Sequence, residues 1–247
     1  MFSARFSILL LVSAAACKGS QHQSNPPQSA ALAPNGDSDS ESIARDTTLE
    51  DVLCRDLNNS YKCAQVIEQH ALGKGHQGVR RRAAELLIPL VRGDTLSLHD
   101  SLSDNPRGVW YAYREYMPSI NYHLIALQYY EGGTYLLVNG RTGKTTFSNG
   151  LPVVSPDARR LAAGNVDLEA EFSPTTLQIW RVELDSLALE FEYNFLTKAQ
   201  VADSTWGPGQ VVWLSPNEIR LTKEYGFGKR RGESIVRLEN SRWSLVP

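Results

Sequence analysis

Two serines and one histidine are the first candidates for nucleophilic or acid–base chemistry. Ser155 and Ser215 each precede a proline in a turn-like stretch, and neither lies in the Gly-x-Ser-x-Gly pattern that exposes a hydrolase nucleophile. His123 follows Tyr122 inside an apolar, strand-like run, which favours a histidine of the core or of a strand face over a general base. We therefore predict no catalytic residue from the sequence.

Side chains that bind metal ions or phosphate form no recognisable site either. His70 and His76 flank two glycines without a third ligand nearby, and no Cys or His set has zinc-ligand spacing. Residues 140–145 contain Gly, Lys and Thr, but the first glycine of a phosphate-binding loop would fall at Val138. No helix-forming segment follows Thr145, so a hairpin turn is favoured. The sequence predicts no metal ion and no cofactor.

The tyrosines are the one set of side chains that indicates a binding function. They are dense between positions 111 and 135. Aromatic side chains that remain at the surface add contact area at a low cost in entropy, which suits recognition of a protein, peptide or glycan. The predicted binding rim comprises Tyr111, Tyr113, Tyr129 and Tyr130. The formal net charge of −2, with basic residues spread along the chain, excludes a bulk electrostatic case for nucleic acid.

The N-terminus carries an export signal. Arg5 precedes the short apolar run 6–12, and small residues from Ser13 to Ala16 lead to Cys17. The apolar run is too short for a permanent membrane-spanning helix. This arrangement resembles the signal peptide and lipobox of bacterial lipoproteins, with Ala14 at the place that leucine usually holds. The alternative is an ordinary secretory signal, cleaved nearby, in which Cys17 has no role.

The lipoprotein resemblance implies that residues 1–16 are removed and that Cys17 becomes an acylated N-terminus, with palmitate among its chains. Several acyl chains give stable membrane attachment. Lys18, rather than aspartate, follows the cysteine, which by the same resemblance implies the outer membrane and a periplasm-facing protein. Residues 17–47 are rich in Gln, Ser, Asn, Pro and acidic residues, and this composition predicts a disordered tether.

Residues 48–94 are predicted to form a small helical segment. The spacing of apolar residues favours helices that begin at Thr48 and that cover 62–72 and 79–91, with Pro89 breaking or kinking the last turn. Cys54 and Cys63 remain once Cys17 is assigned to the lipid, and such a pair in an exported protein predicts a disulfide. Two buried free thiols are the alternative.

Residues 95–247 change to an alternating pattern and are predicted to form a β-meander domain. Short links with turn residues, such as Asn139-Gly140 and Asn149-Gly150, leave no room for crossover helices. The fold class is therefore mainly β, with antiparallel strands. The predicted strands are 95–98, 109–116, 122–130, 134–138, 145–147, 153–154, 159–163, 177–183, 188–193, 211–214, 218–221, 234–238 and 243–246.

The turn Ser155-Pro-Asp-Ala-Arg resembles the Ser-Pro-Asp-Gly turn of TolB-type, WD40-like β-propeller blades. Weaker copies follow at Phe172-Ser-Pro and Leu214-Ser-Pro. The resemblance implies a propeller-like domain of about three blades, fewer than closed propellers usually have. The alternatives are an open stack of small sheets capped by the helical segment, and closure as a barrel or sandwich. Ala158 stands where blades carry glycine, which is costly if the turn needs a left-handed residue.

These patterns together predict a non-catalytic binding or scaffold module for an envelope component. Residues 129–139 and 151–157 are also similar to a group of uncharacterised bacterial envelope proteins, which implies no activity. The alternatives are an envelope hydrolase whose active site is not recognisable from sequence, and a purely structural role. Two convergent carboxylates with shifted pKa values in a pocket would favour the hydrolase, and a shallow aromatic rim would favour the binding module.

Overall fold

The computed structural model describes residues 49–57, 59–101, 108–196, 205–226 and 229–246. The predicted signal peptide, Cys17 and the tether of residues 17–47 lie outside these ranges and stay predictions. None of the helices within the described ranges combines the length and apolar character needed to cross a bilayer.

Two α-helices begin the described chain, α1 (Leu49–Leu53) and α2 (Ser60–Gly73), and a short 3₁₀ turn follows at His76–Gly78. The side chain of Asn59 caps α2 by accepting a 2.9 Å hydrogen bond from the Lys62 amide. Cys54 and Cys63 form a disulfide, with their Cα atoms 5.2 Å apart. The predicted pairing is thus confirmed, and the bridge ties the end of α1 to the first turn of α2.

The prediction of a helix over 79–91 was wrong, because this segment forms two strands of a sheet. Leu86 and Ile88 are fully buried while Leu87 between them is half-buried, which is the period-two pattern of a strand. Ala83 turns the chain between the strands with a left-handed φ of 52°. A short apolar run fits either period, and Pro89, which disfavours a helical residue before it, is tolerated at the end of a strand.

Fifteen strands in the described ranges form four antiparallel sheets, each of which is a meander of consecutive strands. The prediction of a mainly β, antiparallel fold is confirmed. The structure has four sheets instead of three blades, because part of the segment predicted as helical contributes to a sheet of its own. The sheets are sheet 1, with β1 (Arg80–Arg82), β2 (Glu85–Pro89) and β3 (Thr95–His99); sheet 2, with β4 (Val109–Met117), β5 (Tyr122–Tyr129), β6 (Gly133–Asn139) and β7 (Thr145–Ser148); sheet 3, with β8 (Pro152–Val154), β9 (Arg160–Gly164), β10 (Thr176–Val182) and β11 (Leu187–Asn194); and sheet 4, with β12 (Trp206–Ser215), β13 (Glu218–Tyr225), β14 (Lys229–Glu239) and β15 (Arg242–Val246).

Consecutive sheets pack face to face, and the core is divided into layers between them. Sheets 2 and 3 bury both faces: Ile125 of β5 points toward sheet 1, and its neighbour Leu124 toward sheet 3. Near-continuous apolar strands are expected where both faces are covered. The fully buried side chains of the three layers include, in order, Leu86, Ile88, Ile125 and Val138; Leu124, Leu137 and Leu161; and Ile179, Ile219, Leu221 and Val236.

A buried ion cluster joins α2 to sheets 1 and 2. The Arg81 guanidinium donates to Glu68 and to Asp100, both at 2.7 Å, and also to the carbonyl of Tyr111. The Glu68 carboxylate accepts a further hydrogen bond from the Tyr113 amide. Burial raises the pKa of Glu68 and of Asp100, although the nearby Arg81 acts in the opposite direction. Arg81 therefore lies on the inner face of sheet 1. Its hydrogen-bond partners come from α2, from the residue after β3 and from β4.

Two short connections, the link from sheet 2 to sheet 3 and the β8–β9 turn, constrain the residue type at single positions. Gly150 crosses so close to β9 that an added Cβ would lie 1.9 Å from the carbonyl oxygen of Gly164. The predicted turn at Ser155 is present, with its hydroxyl donating to Asp157 at 2.7 Å. Ala158 in this turn adopts a left-handed φ of 56°. Position 158 therefore has the left-handed backbone conformation for which the sequence analysis expected alanine to be costly.

Candidate functional site

A cleft of about 280 Å³ lies on the face of sheet 2, between the helices and sheet 3. α2 covers one end of this face through Ala64, which packs with Trp110 and Ala112. Sheet 3 covers the other end, and the cleft remains between them. Its lining residues are Glu50, Ser60, Cys63, Ala64, Ile67, Arg114, Ala126, Leu127, Gln128, Gly133, Thr134, Tyr135, Asn149 and Asn165.

Three side-chain amides among these residues orient their NH₂ groups toward the protein. Gln128 donates to the carbonyl of the β5–β6 turn at 3.1 Å, and Asn165 donates to a loop carbonyl at 2.9 Å. Because a carbonyl can only accept, these bonds fix which end of each amide is nitrogen. Asn149 donates in the same way to a threonine hydroxyl at 3.0 Å. Within the described ranges, no protein group donates to the three amide oxygens.

The two charges of the lining compensate each other. Arg114 donates to Glu50 at 2.5 Å, and its guanidinium lies 5.7 Å from the centroid of the Tyr135 ring. The disulfide beside the cleft holds α1, and with it Glu50, close to the first turn of α2. Burial raises the pKa of the Tyr135 hydroxyl, so this group stays protonated at neutral pH. The cleft thus combines an aromatic ring, amide oxygens and no formal net charge.

The four tyrosines of the predicted rim do not form one surface. Tyr113 is fully buried, because alternate residues of β4 face sheet 1, so its assignment to a binding rim was wrong. Tyr111 and Tyr129 are half-buried and pack against the same layer of the core. Tyr130, at 79% exposure in the turn after β5, is the one member that stands free of the core.

His123 and residues 140–145 take structural roles. The His123 ring is buried, its Nδ1 lies 3.2 Å from the Tyr113 hydroxyl, and loss of hydration lowers its pKa to about 4. A base needs access to its substrate, which this position does not provide. Residues 140–145 form the β6–β7 hairpin, where the Asn139 side chain accepts hydrogen bonds from two backbone amides at 3.0 Å. The preference for a hairpin turn is confirmed.

A serine, a histidine and a glutamate lie together on the outer face of sheet 1, and the sequence analysis did not predict this group. Their geometry does not suit a catalytic triad. The Ser97 hydroxyl donates to Glu85 at 2.5 Å, and His99 Nε2 lies 3.2 Å from the same hydroxyl and 3.4 Å from the carboxylate. A nucleophile relay needs the serine and the carboxylate on opposite ring nitrogens. Both groups contact Nε2, so we interpret this group as a polar cross-strand cluster.

The comparisons with known proteins give no family for this chain. No protein-family model, no curated protein and no solved structure matches it. Within the described residues the lining of the cleft contains one carboxylate, which an arginine neutralises, and several groups that could accept hydrogen bonds from a ligand. This arrangement can bind and orient a polar molecule.

Proposed function

We propose that this protein is an outer-membrane lipoprotein, anchored through Cys17 and facing the periplasm, whose β-sheets form a non-catalytic binding module for an envelope component. The observation that carries the binding role is the neutral, amide-lined cleft on sheet 2. Its single carboxylate, Glu50, is paired with Arg114 and is poorly suited to act as a general base. The lipidation and location rest on the resemblance of residues 1–17 to lipoprotein signals.

We also propose that sheets 2, 3 and 4 are propeller-like blades. Each is a four-stranded antiparallel meander, and each stacks on the sheet before it. The link through Gly150 supports this idea, because it carries the chain across the end of sheet 3 to begin a new meander at the far strand. Blades on this pattern are scaffolds, and their function lies in the sites that they carry.

An envelope hydrolase is the second candidate, and the raised pKa values of two carboxyl groups favour it. Glu68 and Asp100 converge on Arg81, as paired catalytic carboxylates would converge on a substrate. Both are buried, however, and each also accepts a backbone amide, from Tyr113 and from Tyr111. Neither lines the cleft, so a substrate in the cleft would not meet them.

The binding role is tested by crosslinking in the intact envelope, followed by purification of the lipidated protein. A Cys17→Ala variant serves as the control that lacks the anchor. A discrete crosslinked partner that is lost in this control supports a tethered binding module. Background alone, from protein shown to be folded and lipidated, contradicts it and makes hydrolysis of isolated envelope material by the purified protein the next assay.

A further inference from the structure

The lining of the cleft limits the chemistry of its ligand, and we propose that the cleft binds a neutral, hydroxyl-rich glycan. This inference rests on the proposed binding function and names the ligand class of the same site. The cleft lies beside Tyr135, whose ring forms part of the wall, and its volume of about 280 Å³ suits a small part of a glycan chain.

The polar groups of the cleft are arranged to accept hydrogen bonds. The NH₂ groups of Gln128 and Asn165 are bound to backbone carbonyls, so their oxygens are the ends that remain for a ligand. The hydroxyl of Thr134 already donates to a backbone carbonyl at 2.8 Å and retains its acceptor lone pairs. A ligand that pairs with these oxygens must supply donors, and sugar hydroxyls are abundant donors without charge.

The charge balance favours a neutral ligand over a phosphate or an ammonium group. Glu50 and Arg114 are the charged residues of the described lining, and they bind each other at 2.5 Å. An anion would compete with Glu50 for Arg114, and a cation would compete with Arg114 for Glu50. A neutral sugar leaves this ion pair intact and can lie beside the apolar part of the Tyr135 ring.

The position of the cleft argues against an extended peptide. Peptides commonly add a strand to the edge of a sheet, where backbone groups are unpaired. This cleft lies on the face of sheet 2, where the strands pair with their neighbours through Ala126 and Tyr135, and through Gln128 and Gly133. No row of unpaired backbone groups is therefore open to a peptide on this face, and the side-chain acceptors of the cleft cannot bond to the carbonyls of a peptide.

The test uses the full-length lipidated protein in micelles of a detergent without sugar groups. An array of neutral oligosaccharides identifies the strongest binder, and calorimetric titration then measures its affinity, with maltose, cellobiose and chitobiose as defined probes and trialanine as the peptide probe. Gln128→Leu removes one acceptor of the cleft, and Tyr135→Phe keeps the ring but removes its hydroxyl. Gln210→Leu, at an exposed position of β12 outside the cleft, is the matched control.

We expect saturable binding of a neutral oligosaccharide, weakened about tenfold by Gln128→Leu and unchanged by Gln210→Leu. The melting temperature of each variant verifies that it is folded. The inference is overturned if no oligosaccharide binds, if Gln128→Leu and Tyr135→Phe both bind as the parent does, or if trialanine binds in place of the oligosaccharides. A crosslinked partner that persists without any glycan binding would reject the glycan and leave the proposed binding role standing.

Discussion

Acidification should destabilise this protein through His123, the buried ring that packs between Tyr113 and Tyr116. Burial lowers the pKa of His123 from 6.5 to about 4 in the folded protein. Between these two pH values the unfolded chain binds the proton and the folded protein does not, so the free energy of unfolding falls as the pH falls. The difference corresponds to about 3 kcal/mol lost by pH 4, with no contribution above about pH 7.

The measurement is urea unfolding at a series of pH values between 7 and 4, on the parent and on His123→Gln. Glutamine does not titrate and can keep a hydrogen bond to the Tyr113 hydroxyl, which now lies 3.2 Å from the ring nitrogen. The carboxyl groups that also titrate in this range are the same in both proteins, so their effect cancels in the difference. We expect the parent to lose about 3 kcal/mol more than the variant over this range.

Two results would refute this reasoning. The first is an identical pH dependence of the free energy of unfolding in the parent and in His123→Gln. The second is a His123 pKa near 6.5 in the folded protein, measured by NMR titration of its ring protons. Either result would mean that burial does not lower the pKa of His123 in solution.

Three further substitutions, one of them with a matched control, test the packing. Gly150→Ala should lower the free energy of unfolding by about 2 kcal/mol or more because its Cβ would overlap a backbone oxygen. Gly73→Ala at the end of α2 is its control: the added Cβ meets open space there, and the free energy of unfolding should change by less than about 1 kcal/mol. Equal losses of stability in the two variants would contradict the clash at Gly150. Ala158→Gly should raise the free energy of unfolding by about 1 kcal/mol by relieving the left-handed backbone, and a loss in the melting curve would contradict this. Arg81→Met should cost about 3–5 kcal/mol at pH 7 by leaving two buried carboxylates unpaired. This last loss should be smaller at pH 4, where both carboxyls can protonate, and a loss that does not change with pH would show that the carboxylates are not its cause.

Most of the strands could be predicted because half-buried strands alternate apolar and polar residues and fully buried strands form short apolar runs, and both patterns are visible in the local sequence. The run 109–116 was predicted as a strand, and β4 is Val109–Met117. The failure at 79–91 came from an apolar segment that fits both periods, where contacts with sheet 2 decide between strand and helix. Arg81 shows the same limit: an arginine in a sequence is most often solvent-exposed in the fold, and only the folded chain brings Glu68 and Asp100 to this one.

The cleft could not be predicted, because its residues come from separate elements that meet only in the folded chain. Glu50 lies in α1, Gln128 in β5, and Asn165 follows β9. Asparagine beside glycine, as at Asn149, indicates a link between strands, and Asn149 does lie between β7 and β8. The pattern does not indicate that the side chain lines a cleft. Tyr135 belonged to the dense tyrosine stretch, so one signal for the site was present, although the predicted rim did not include it.

The stack of sheets can end without closing because its two outer faces are polar. On sheet 1, Arg82, Glu85 and His99 are cross-strand neighbours on the side that faces away from the core. On sheet 4, Arg237 lies between inward-facing core residues of β14 and binds Glu218 at 2.9 Å on the outer side. Repeat architectures end in this way, with terminal units whose exposed face is hydrophilic. Within the described residues, the buried faces of the four sheets meet each other in three layers, and the outer faces of sheets 1 and 4 carry these charged groups.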